Sequence, residues 1–149
     1  MVYEQLAWKD KFTEPTPHQL RQSLPESSLD LFDRTRRHLR RLDGVDETVA
    51  WYGLCWCWSI EYRMDPTGEP LAVIIPSPQD LQLAMPLDPE FITTLPTKRM
   101  KRAIRDGLDL AQEPFDTRWG VWSIQPGSFV DDLTDLVNRR LRHLERAAG

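Results

Sequence analysis

The stretch VDETVAWYGLCWCWSIEYR, residues 45–63, decides how the chain is read. It is rich in aromatic and β-branched residues, which favour a pleated, half-buried surface, and Gly53 predicts a turn or bulge between two strands. Side chains alternate across a strand. On that period, Ala50, Tyr52, Leu54, Trp56, Trp58, Ile60 and Tyr62 share one face, and Cys55, Cys57, Ser59, Glu61 and Arg63 share the other. The expectation is a hairpin with one aromatic side and one small or polar side. Trp51 and Trp119 are expected to be more exposed than Trp56 or Trp58.

Working outward, Asp65-Pro66-Thr67-Gly68 is turn chemistry. It predicts that Leu71 to Ile75 returns as a partner strand and that Leu81, Leu83, Met85 and Leu87 form a fourth strand. Trp119, Val121, Trp122 and Ile124 make a fifth. Before the strands, Leu31, Phe32, Thr35, Leu39 and Leu42 fall at helical spacing from Ser28 to a stop at Asp43-Gly44, with acids early and arginines late. After them, Asp88-Pro89 opens a short helical turn closed by Pro96. Thr97 is expected to cap a helix with the stripe Met100, Ile104, Leu108 and Ala111, which Gly107 weakens. Ser128 and Asp131 resemble a capping box ahead of a terminal helix carrying Leu133, Val137, Leu141 and Leu144. Helices before and after a run of strands, without βαβ alternation, predict an α+β fold: an antiparallel meander of about five strands packed against flanking helices.

The chain has 149 residues, which fits a single domain, 1–149. Residues 1–25 are expected to wrap the surface, with one short helix from Thr16-Pro17 to near Ser23. Nineteen Lys and Arg face 23 Asp and Glu, and the net charge of -4 argues against general attraction to nucleic acid or anionic lipid. The first dozen residues lack the apolar segment of a secretion signal. The longest near-apolar run, 49–58, is about half of the roughly 20 residues a membrane helix needs, so a soluble cytoplasmic chain without membrane partners is expected. Cys55 and Cys57 alone supply two soft ligands where a structural metal site needs four. They read as small buried hydrophobes, and no metal is assigned.

With Trp51-Tyr52-Gly53 lying between an Arg-rich helix and a hairpin that ends Leu71-Ala72-Val73-Ile74-Ile75-Pro76, the chain resembles the YdhG-like group of small bacterial domains of unknown function. The likeness covers roughly residues 28–147. It implies a helix-flanked antiparallel sheet similar to frataxin-like sandwiches and carries no catalytic residue with it. It also lends some support to iron or another hard cation meeting the acidic surface of Asp30, Asp33, Asp43, Asp46 and Glu47, where solvated helix-cap acids are the plainer account.

Two constellations carry binding chemistry. Six tryptophans can line a pocket for a planar or cationic small molecule or a protein partner, with Trp51, Tyr52 and Trp119 as contacts and Glu61, Arg63 and Arg118 at the rim. Core packing is the simpler explanation for most of these rings. Lys98, Arg99, Lys101, Arg102 and Arg105 crowd the start of a helix whose dipole is already positive there, a pattern suited to a phosphate, carboxylate or nucleic-acid backbone. There is no GxSxG, HExxH, Walker loop or GxGxxG motif, so no catalytic residue or cofactor is assigned and the reading leans away from an enzyme.

Overall fold

The computed structural model describes residues 7–109, 119–127 and 129–148. Helix α1 (Pro17–Gln22) begins at a capping box in which Thr16 and Gln19 exchange side-chain to backbone hydrogen bonds. Helix α2 (Glu26–Arg40) follows, burying Leu31, Phe32, Thr35 and Leu39 on one stripe. Burial of each of the three apolar side chains contributes about 1.5–3 kcal/mol. The chain then reverses through Gly44 at φ 74°, a conformation glycine adopts freely.

The sheet comprises β1 (Asp46–Trp51), β2 (Trp58–Arg63), β3 (Ala72–Pro76), β4 (Leu81–Pro86) and β5 (Trp119–Ser123). All neighbours are antiparallel and the order is β1-β2-β3-β4-β5, the meander expected. Between β1 and β2 stands α3 (Gly53–Trp56), a single helical turn. Between β4 and β5 come α4 (Pro89–Thr93), capped by Asp88, a 3₁₀ turn at Thr97–Arg99, and α5 (Arg102–Asp109). Helix α6 (Phe129–Ala148) ends the described chain. Ser128, of the expected capping box, and Ala111, the last residue of the Met100 stripe, lie outside the described residues. Among the described residues no helix is long and apolar enough to cross a membrane.

Two local readings are corrected. The period-two alternation does not run unbroken from Val49 to Tyr62, because α3 interrupts it. Leu54, expected on the aromatic face, is 91% exposed, and Trp56 is half-buried like Trp51 and Trp119. The turn is closed by backbone bonds of 2.8 Å from Tyr52 N–H to the Cys57 carbonyl and from Cys57 N–H to the Gly53 carbonyl. These hold Cys57 at φ 55°, ψ -140°, a region that costs a non-glycine residue about 1–3 kcal/mol. The second correction is that Thr97 caps no α-helix. Met100 is extended after the 3₁₀ turn, and α5 starts at Arg102.

Strand β2 divides the molecule into two sides. Trp58, Ile60 and Tyr62 face one way, together with their partners Trp51, Val49 and Glu47; Ser59, Glu61 and Arg63 face the other. The first side meets α2, where Arg36 grips Glu47. Helix α5 packs on β5 by close approach: a Cβ on Gly107 would lie 1.9 Å from Trp122 Nε1, which donates to the Ile104 carbonyl at 3.2 Å. Helix α6 is fastened by Arg140, only 2% exposed, whose guanidinium donates to the carbonyls of Pro86, Pro70 and Leu71. Burial pushes the Arg140 pKa down from its ordinary value.

Candidate functional site

The side of the sheet that carries Glu61 also carries Val73, Ile75, Ala84, Val121 and Trp119 by strand register. Trp119 opens β5 beside Pro86, whereas Tyr52 and Trp56 follow the far end of β1 on the opposite edge. These are diagonal corners of the sheet. They nevertheless meet: the ring centroids of Trp56 and Trp119 are 5.2 Å apart, Tyr52 and Trp119 6.4 Å, and Tyr52 and Trp56 5.6 Å. An antiparallel sheet twists and coils, and the α3 loop folds back over the Glu61 side, where Ser59 Oγ donates to the Trp56 carbonyl at 3.2 Å; Ser59, Val73 and Ala84 are completely buried there. Both contacts with Trp119 are edge-on, the geometry aromatic rings prefer.

Behind the rings lies a charge network. Tyr52 Oη donates to Glu61 Oε1 at 2.7 Å, and Arg63 donates from Nε to Glu61 Oε2 at 2.5 Å and from Nη2 to Oε1 at 3.2 Å. Arg63 Nη1 also donates to the Gly68 carbonyl, tying in the β2–β3 turn. Glu61 is 6% exposed. Burial alone pushes its carboxyl pKa up, but the bonds from Arg63 and Tyr52 outweigh it and leave the group ionised below its usual range. Burial and the adjacent carboxylate push the Tyr52 phenol far up, so it stays a neutral donor.

The other expected contacts are distributed differently. Trp51 packs edge-on against Trp58 at 5.5 Å on the helix side of the sheet and does not join the trio. Arg118 lies outside the described residues. Trp56, which alternation assigned to the core, is the member that the sequence reading missed. Gly53 between the two β runs, a residue that admits the positive φ a turn needs, was the available signal. The N-terminal segment braces this loop: Trp8 Nε1 donates to the Trp56 carbonyl at 2.9 Å, Trp58 N–H to the Trp8 carbonyl at 3.1 Å, and Trp58 Nε1 to the Asp10 carbonyl at 2.6 Å.

The basic run 98–105 is divided rather than focused. Lys98 and Arg99 sit on the 3₁₀ turn, Lys101 reaches Asp132 of α6 at 2.7 Å, and Arg102 faces Asp106 one turn along α5 at 3.9 Å. Arg105 is half-buried on α5. Among the acids, Asp33 is held bidentately by Arg21 at 2.7 Å, whose hydrogen bonds keep its carboxyl below the usual range. Glu47 is held by Arg36, at 2.9 and 3.0 Å, and by Tyr62 Oη at 2.7 Å. No group of three or more His, Cys, Asp or Glu among the described residues is placed to hold a metal ion.

No family model matches the chain, and no curated protein or solved structure matches it either.

Proposed function

We propose that the protein is a binding module whose contact surface is the corner formed by Tyr52, Trp56 and Trp119, and that it takes a planar or cationic group, carried by a small molecule or a partner's side chain. The observation that carries this reading is that three half-buried rings from diagonally opposite corners converge over a satisfied Tyr52–Glu61–Arg63 network. Indole faces attract cations and stack on flat groups. Glu61 lies behind them as a fixed acceptor whose charge Arg63 balances, so an incoming cation meets π faces first and a carboxylate second.

The test is a titration of the intact chain with a panel of aromatic metabolites and quaternary ammonium compounds, followed by indole emission. At least one compound is expected to change the emission saturably, and Trp119→Ala is expected to abolish that change. An emission spectrum unmoved by the whole panel, or moved equally in Trp119→Ala, overturns the reading.

A further inference from the structure

A second site, independent of the aromatic corner, lies on the arginines of α2. Five arginines fall between residues 34 and 41, and three of the surrounding acids are already engaged. Asp33 is taken bidentately by Arg21, Glu47 by Arg36, and Asp131 of α6 by Arg34 at 3.4 Å. Arg37 and Arg41 are exposed and have no carboxylate within 4.0 Å among the described residues. They face two adjoining clefts. One of about 420 Å³ is lined by Asp33, Arg36, Arg37, Arg40 and Arg41. The other, of about 170 Å³, runs toward α6 between Arg37, His38 and Arg41 on one side and Asp131 and Thr134 on the other. Its wall is fixed by the contact of His38 Nε2 with Asn138 Oδ1 at 3.1 Å. Together they offer a guanidinium-lined recess with hydroxyl and imidazole groups alongside.

We propose that this recess binds a compact polyvalent phosphate, a di- or triphosphate chain, through Arg37 and Arg41, with Arg34 at its edge. Guanidinium is the group suited to this task, because its planar fork matches phosphoryl oxygens two at a time and stays charged at all relevant pH. The extent of the positive zone selects the ligand. From Arg34 to Arg41 is about 10 Å along a helix rising 1.5 Å per residue. Asp30 precedes it and Asp43 and Asp46 follow it. A nucleic-acid strand presents a phosphate about every 3.4 Å of helix axis, so only about three would face arginines before the backbone met carboxylates. A short phosphate chain satisfies the cations without that repulsion.

The experiment is calorimetric titration of the full chain at low ionic strength with inorganic pyrophosphate, ATP and a short double-stranded oligodeoxynucleotide. Pyrophosphate and ATP are expected to bind with similar affinity, and both more tightly than the oligonucleotide. The double variant Arg37→Gln/Arg41→Gln is expected to weaken pyrophosphate at least tenfold without lowering the melting temperature, since both side chains are exposed. Arg102→Gln, on α5, is expected to leave binding unchanged. No heat with pyrophosphate, equal affinity in the double variant, or tighter binding of the oligonucleotide overturns the proposal. So does binding of ATP alone, which would mean that the base rather than the phosphate chain is recognised.

Discussion

Two carboxylates, Glu47 and Glu61, sit on opposite sides of the same sheet and each accepts hydrogen bonds from one arginine and one tyrosine, with Arg40 a further ion-pair partner of Glu47 at 3.8 Å. Glu47 is bonded by Arg36 and Tyr62, Glu61 by Arg63 and Tyr52. What differs is what the partners connect. Arg36 comes from α2, so the Glu47 network pins a helix to the sheet edge, and Tyr62 within it is fully buried. Arg63 is on the same strand as Glu61 and Tyr52 is just beyond the adjacent one, so the second network closes on its own hairpin and on the turn at Gly68. Among the described residues it joins none of α2, α5 and α6 to the sheet. The fold has one such network as a fastening. The other instead backs three half-exposed rings, the surface that the proposed binding would use.

The scale for a purely structural cation is set by Arg140, which ties α6 to three carbonyls at the ends of β3 and β4. Arg140→Met leaves those carbonyls buried without donors, and a loss of about 3 kcal/mol in urea denaturation is expected. Between the two carboxylates, Glu47→Gln is expected to cost about 2 kcal/mol, less than a fully buried pair because Arg36 is partly exposed. It should also raise hydrogen exchange throughout α2. Glu61→Gln is expected to leave α2 exchange unchanged and to loosen only β1, β2 and the turn at 65–68. Faster α2 exchange in Glu61→Gln would erase the distinction between the two networks.

Acid should probe both at once. Each carboxyl is held below its ordinary value in the folded chain, so each contributes stability above the unfolded pKa of about 4.3 that is lost as pH falls through the depressed folded value. Stability measured from pH 6 downward is expected to be level until about pH 4 and then to fall, and the fall should be shallower in either Glu→Gln variant. The smallest effect separates the phenols. Tyr62→Phe is expected to cost about 1 kcal/mol, because it removes a hydrogen bond to a charged acceptor at a fully buried position, and Tyr52→Phe about half of that.

Much of the fold was legible in the sequence, because it depends on local rules. Thr16 with Gln19, Asp88 before Pro89, and the turn residues at 65–68 each mark a boundary by satisfying backbone groups nearby. The misreading at 53–56 has a physical cause. Tyr52, Leu54, Trp56 and Trp58 keep even numbering across a helical turn, so alternation persists in the sequence where the pleat does not. The early start predicted for α5 failed because Pro96, at ψ 63°, directs the chain into a 3₁₀ turn and Met100 then extends. The site was partly legible: residue type marks Tyr52, Glu61, Arg63 and Trp119, but their meeting depends on the path of the α3 loop and the twist of the sheet, which no local pattern records. The split of the arginines between engaged and free is likewise set by contacts such as Arg34 with Asp131, 97 residues apart.

The most direct measurement is a thermal-shift comparison of the unmodified chain with Trp56→Ala and Trp51→Ala, using a compound that perturbs indole emission. At about one hundred times its dissociation constant, such a compound contributes roughly 2.7 kcal/mol, or about 5–10 °C for a chain of this size. The account predicts that this shift survives in Trp51→Ala and disappears in Trp56→Ala. A shift retained in Trp56→Ala, or lost only in Trp51→Ala, would contradict it.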